Sequence, residues 1–284
     1  MPTLNLNEAT KLYYGNTEAK KLYKGNQLLY TPSTTLNLLS LSPSLWLDAD
    51  DSSTITLVSN SVSEWRDKSG NNRHASQTTT DNRPIMSTLN GKGVLSFDGS
   101  NDFLRCENYN YIFQSVFIVF SRNSITNTFD GLLGLRIASS NLVPNSVSNI
   151  PLLLNAWDTT SDWFFSSSNL VFNNGLEVPT SSKTSPSAST QRFFNTIVNQ
   201  FNISYVDYAQ SSGTGIKNLC IGADSFTEGG SRYGHGNIAE IIIFSSVLSQ
   251  ATRELLEGYL AWKWGLVNNL PSNHPYKNQK VVLV

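Results

Sequence analysis

Cysteine is nearly absent: Cys106 and Cys220 are the only two in 284 residues, too few for a disulfide framework. Both stand inside apparent strands, FLRCENY and KNLCIGA, where a small buried hydrophobe is expected, so free buried thiols in a reducing compartment are predicted. Charge is scarce as well, at 14% of residues with a formal net charge of −1. That balance sets up no long-range field for phosphate or anionic lipid, and the 20 basic residues form no run or helical stripe, which argues against nucleic acid as a partner. No stretch approaches the ~18 apolar residues of a membrane span, and MPTLNLNEATKLYY lacks the basic-then-apolar layout of a signal peptide. Membrane insertion and export are therefore not expected, and the chain is expected to stay in the cytosol that makes it.

What is present is apolar and aromatic: 39% hydrophobic residues and 11% aromatics, enough for a sizeable core, with Ser, Thr and Asn left to make the polar surface. The length suits one large domain with an appendage. From Leu45 onward short apolar segments (SLWLDAD, SVSEWRD, GVLSFDG, SVFIVFSR, GLLGLRIA, IPLLLNAW, TIVNQFNISYVDY, KNLCIGA, AEIIIFS) alternate with turn signals: SGNN at 69–72, DGSND at 98–102, FNNG at 172–175 and SSGTG at 211–215. The pattern predicts an all-β domain of two stacked antiparallel sheets. TSSKTSPSAST at 180–190 reads as a polar low-complexity loop. One helix is expected at about 249–264, with Ser249 as its N-cap, an apolar stripe of Leu255, Leu256, Tyr259, Leu260 and Trp262 to Trp264, and Gly265 as its stop. The tail beyond it should run extended because of Pro271 and Pro275.

The N-terminus carries a repeat. KLYYGNTEAK at 11–20 is followed by KLYKGNQLLY at 21–30, aligning Leu12 with Leu22, Tyr13 with Tyr23, and Gly-Asn with Gly-Asn. Each copy reads as a Leu-Tyr strand fragment and a turn, too small to bury its own apolar face. Residues 1–35 are read as a docking segment, with Leu12, Tyr13, Leu22, Tyr23 and Tyr30 as contact residues, 36–44 as a linker, and 45–284 as the domain.

Three segments carry a family resemblance: LWLDADDSSTI with SEWRDKSGNNRHA at 45–55 and 63–75, NGKGVLSFDGSNDFL at 90–104, and GNIAEIIIFSSVLSQATRELLEGYLAWKWGL with LPSNHPY near the end. In order and spacing they resemble the concanavalin A-like, laminin-G-type jelly-roll domains of bacterial surface proteins and of phage tail and virion proteins. The resemblance implies a jelly-roll sandwich with a C-terminal helix. The LYxGN repeat is similar to segments that precede such domains in phage structural proteins. Jelly-rolls host lectins, hydrolases and adhesion domains alike, so function has to come from sites.

A retaining glycosidase of this fold needs two carboxylates ~5 to 5.5 Å apart on one groove. The Glu-x-Asp-x-Glu pattern that would supply them is missing; Asp48 and Asp50 alternate, but at a strand end where turn capping or cation ligation is expected. His74, His235 and His274 lie in three separate loops without metal-ligand spacing, and no nucleophile elbow or phosphate loop is found. Calcium, as a structural ion, has candidate ligands in Asp67 and Asn71 (WRDKSGNN) and in Asp98 and Asp102 (FDGSNDF), all of which also suit metal-free Asx turns. For a sugar, an aromatic face beside polar groups is required, and Trp157, Trp163, Tyr233 and His235 are the candidates.

These readings converge on a non-enzymatic virion protein, in a fibre, tail or capsid surface, assembled in the host cytoplasm. It would dock to other virion proteins through residues 1–35, associate as a homo-oligomer with a trimer favoured, and present its jelly-roll to host surface glycan or neighbouring subunits. The alternatives are a carbohydrate-active enzyme of the same fold, which would need the absent carboxylate pattern, and a bacterial surface adhesin, which would need an export signal.

Overall fold

The computed structural model describes residues 13–14, 16–19, 21–24, 27–30, 32–107, 114–123, 131–137, 155–156, 162–165, 168–179, 192–195, 199–208, 217–223 and 233–284. Fourteen strands make one large antiparallel sheet: β1 (Leu45–Asp48), β2 (Ile55–Val58), β3 (Ser61–Trp65), β4 (Ala75–Ser76), β5 (Ile85–Leu89), β6 (Lys92–Asp98), β7 (Leu104–Cys106), β8 (Ser115–Arg122), β9 (Leu133–Ile137), β10 (Ser168–Asn173), β11 (Leu176–Glu177), β12 (Asn202–Tyr208), β13 (Lys217–Ile221) and β14 (His235–Phe244). The order is β9-β13-β7-β4-β3-β5-β6-β14-β8-β12-β10-β11, with β1 beside β14 and β2 beside β3. β5 meets β3 through the single pair Ile85 and Ser61. Trp65, Leu104 and Leu219 from one half of that path share a buried cluster with Val116, Val206 and Ile241 from the other, so the sheet doubles back on its own apolar face.

The reason β8 reads as an uninterrupted apolar run is visible in its two faces. Val116, Ile118 and Phe120 point into the inner cluster, while Phe117 and Val119 point into a second one, under the helix; a strand covered on both sides has no need of alternation. Its neighbour β14 slips register between Val119 and Phe120. This bulge puts two consecutive residues on the helix side, Ala239 in the apolar cluster and Glu240 among the polar groups of the helix. Bulges commonly re-aim a side chain in this way.

The one α-helix among the described residues, α1 (Gln250–Trp264), starts and stops as expected: the Ser249 hydroxyl accepts the Thr252 N–H, and Gly265 takes the left-handed cap conformation. It lays Leu256, Tyr259, Leu260, Ala261 and Trp264 against the sheet. The tail differs from its predicted extended course. The His274 N–H bonds the Pro271 carbonyl and the Lys277 N–H the His274 carbonyl, so the tail turns twice; in the second turn Pro275 occupies the position its fixed φ favours. The chain then forms a strand, Val281–Leu283, parallel to Thr34–Leu36.

That pairing, with Leu36 and Leu38 buried in the helix-side cluster, makes the stretch read as a linker part of the domain's edge. Upstream, the repeat forms two hairpins, Tyr13–Tyr14 with Thr17–Glu18 and Leu22–Lys24 with Gln27–Tyr30. Among the described residues each pairs only within itself. Tyr23 is 52% exposed, and Leu12 lies outside the described residues. Neither cysteine is in a disulfide, and both are buried. Cys106 pairs across β7 and β13 with Leu219 rather than Cys220, which puts the two sulfurs on opposite faces of the sheet.

Candidate functional site

Polar residues from all three motif segments meet where α1 crosses β14 and β1. Asp48 and Glu240 are direct cross-strand partners. Glu240, 1% exposed, accepts at Oε1 from the Trp46 indole (2.9 Å) and the Tyr259 hydroxyl (3.1 Å), and at Oε2 from Lys263 (2.8 Å) and the Trp264 indole (2.7 Å). Lys263 Nζ also reaches Asp48 Oδ1 at 2.6 Å. Asp48 Oδ2 is held by Lys68 at 3.0 Å, and Lys68 in turn bonds Asp51 at 2.7 Å and lies over the Trp46 ring. Asp50 takes Lys92 and the Gly93 N–H.

Burial, reinforced by the Asp48 carboxylate, lifts the Glu240 carboxyl above its usual range, with Lys263 pulling the other way. Burial alone would lower the Lys263 ammonium, but Glu240 and Asp48 beside it hold it above the ordinary lysine value. Every lone pair of Glu240 is engaged, so it has no open position from which to protonate a glycosidic oxygen or attack an anomeric carbon. Asp48 and Asp50, which alternate along the strand as a catalytic pair would, are likewise spent on Lys263, Lys68 and Lys92. The cluster fastens the helix to the sheet.

The WRDKSGNN loop closes the same corner. Asp67 Oδ1 accepts the N–H groups of Trp46 and Ser69, and Oδ2 accepts the Ser69 hydroxyl and the Arg73 N–H. Asn71 turns its amide NH₂ toward the carbonyls of Pro43 and Ser44, where the Arg73 guanidinium also bonds the Ser44 carbonyl. His74 Nδ1 accepts the Asp67 N–H. These are turn-holding bonds, and they occupy the oxygens of Asp67 that a calcium ion would need.

A second group forms at the other end of β14. Asp98 is the cross-strand partner of His235, and the Tyr233 ring lies 6.4 Å from that of Phe103. Asp98, Asp102, Tyr233 and His235, chosen from sequence for two different ligands, thus occupy one region. Asp98 Oδ1 accepts the N–H groups of Ser100 and Asn101, and Asp102 Oδ2 accepts the Asp98 N–H. Burial first, then the Asp98 charge, pushes the Asp102 carboxyl up to about 7 against the opposing pull of that N–H. Tyr233 and His235 are partly exposed. Among the described residues no group of three His, Cys, Asp or Glu is placed to hold a metal.

The remaining aromatic candidates are elsewhere. Trp163 lies in the strand Asp162–Phe165 of a separate three-stranded sheet, opposite Phe194 and Ala156; Trp157 is outside the described residues. Sequence reasoning gave Glu240 no role and placed Lys263 only within a helix stripe. The signal was there: a lone acid inside AEIIIF and a lone base inside WKW are each too deep in apolar sequence to be buried without a partner. His274 was another loop histidine by sequence. In the structure it is buried, with Nε2 3.2 Å from Glu257, which also binds Arg253 at 2.7 Å.

No protein-family model matches the chain, and no curated protein matches it. Among solved structures, Trypanosoma rangeli sialidase in complex with sialic acid is 14% identical at a TM-score of 0.40, over 74% of this chain and 32% of that one. The same enzyme with 2,3-difluorosialic acid, a covalent intermediate, is 13% identical at a TM-score of 0.40, over 86% of this chain and 35% of that one. The chain thus spans about a third of the sialidase's length. Overlap at this level carries no activity across.

Proposed function

We propose that this chain is a non-enzymatic attachment module: a virion structural protein whose concanavalin A-like jelly-roll is carried on an N-terminal docking segment. The observation that carries the reading is the pair of N-terminal hairpins, each paired only within itself among the described residues. Isolated two-stranded hairpins are marginal in water, so a repeat of them with Tyr23 exposed is a surface waiting for a second protein or a second copy. The folded-back sheet and its covering helix support the jelly-roll assignment. The engagement of Asp48 and Glu240 by lysines supports a role without catalysis. In this reading the partners are other virion proteins and further copies of the chain, as a trimer, and host glycan is met at the Tyr233 and His235 end.

Light scattering on the eluted peak of a size-exclusion column tests the docking reading. The shortened chain should start at Pro32, because a later start would strip Thr34–Leu36 from its parallel partner and remove buried Leu36 and Leu38. A full-length oligomer that becomes a monomer on this truncation is the expected result. An equal mass per particle for both would sink self-assembly through the repeat.

A further inference from the structure

The Lys263 amine and the Asp48 carboxyl stand 2.6 Å apart at their nearest polar atoms, one on a helix and the other on the strand it crosses. Such placement turns a bimolecular condensation into a unimolecular one, with effective molarities of roughly 10⁵ M and above. The third partner is a proton carrier: Glu240 Oε2 lies 2.8 Å from the same Nζ. The fourth is a cation on the far carboxyl oxygen, Lys68 at 3.0 Å from Asp48 Oδ2. Trp46, Tyr259 and Trp264, all buried, line the group and leave the Lys263 side chain 15% exposed, and such partial exclusion of water favours condensation over hydrolysis and strengthens each charge interaction. A neutral amide would also relieve the desolvation cost of one buried ion pair.

We propose that Lys263 and Asp48 condense with each other to form an intramolecular amide bond that staples β1 to α1. The proposal is independent of the virion reading. The Lys263 ammonium gives a proton to Glu240, and the free amine attacks Asp48 Cγ while Lys68 stabilises the charge on Oδ2. The tetrahedral species then expels Oδ1, which leaves as water after taking one proton back from Glu240 and one from the nitrogen. The ammonium and carboxylate become one amide and one water, and Glu240 ends as it began. Lys68 cannot take the place of Lys263, since it is the more exposed amine, is shared with Asp51 and has no carboxyl with a raised proton affinity beside it.

The test is the intact mass of the purified full chain, held at neutral pH until the mass stops changing and compared with Lys263→Arg and Asp48→Ala treated identically. The expected result is a wild-type mass short by one water, the full mass for both variants, and a branched tryptic peptide joining the Asp48 and Lys263 segments. A wild-type chain at its full mass overturns the proposal, as does a water loss that survives in either variant. Because the wild-type mass is decisive alone, a variant that fails to fold does not blunt the test. Glu240→Gln probes the proton carrier: linkage slowed at least tenfold is expected, and linkage at the wild-type rate would remove Glu240 from the step.

Discussion

Two buried carboxyls in this protein, Glu240 and Asp102, sit in opposite electrical settings. Glu240 is surrounded by donors: two indoles, a phenol and an ammonium. Asp102 has one backbone N–H, from Asp98, whose own carboxylate then repels it. Both are almost sealed from solvent, so burial alone does not separate them. The contrast is between a carboxyl the fold surrounds with donors and one it leaves with a single donor and a like charge beside it. Uncompensated groups of this kind gather at functional sites more often than compensated ones.

The largest expected effect breaks the compensated side. Glu240→Ala would strip the Lys263 nitrogen, both indoles and Tyr259 of their shared buried acceptor, at a cost on the order of 3–5 kcal/mol. A denaturant titration would show it; a loss below about 1 kcal/mol would mean the cluster is not what fastens the helix.

The next prediction concerns pH. The Asp102 carboxyl is pushed up to about 7 from the ordinary aspartate value of about 3.8. The folded chain therefore holds a proton that the unfolded chain has already released between those values. The stabilisation from this group is complete below the lower value and is lost as pH rises through the upper one. The wild type should unfold at lower denaturant concentration at pH 8 than at pH 5, and Asp102→Asn should shrink that difference. An unchanged difference in the variant would show that Asp102 is not the group responsible.

Smallest is Asp98→Asn, which keeps the side-chain oxygen that accepts from Ser100 and Asn101 but removes the charge. Stability at neutral pH should change by no more than about 0.5 kcal/mol, as for an ordinary surface site. The carbonyl carbon shift of Asp102, followed by NMR, should titrate at lower pH than in the wild type. A midpoint that stays in place would leave burial as the sole cause of its shift.

Much of the fold was legible because its signals are local. β8 and β14 announce themselves as apolar runs, Ser249 and Gly265 bracket α1, and Asn174-Gly175 makes a two-residue hairpin turn with both residues at positive φ, the geometry that sequence pair favours. The short strands β2, β4 and β5 escaped, since Ser87 and Thr88 interrupt Ile85–Leu89 and Ala75–Ser76 is only two residues long; pairing rather than propensity makes them strands. The site was less legible. Glu240 and Lys263 belong to one cluster only after a bulge in β14 and a helix crossing bring them together, and neither event is written in the spacing of the residues. Asp67 was read for calcium because an oxygen-rich turn looks the same whether its oxygens face a cation or its own backbone N–H groups.

The parallel ribbon of Thr34–Leu36 and Val281–Leu283 has a practical consequence. Val284 donates its N–H to the Leu36 carbonyl, so the last residue runs alongside the place where the hairpin segment enters the domain. Anything joined to Val284, whether an affinity tag, a fluorophore or a further stretch of polypeptide, would emerge next to that entrance and crowd whatever seats there. Labels for watching this protein assemble belong elsewhere, for example on the exposed turn at Ser100.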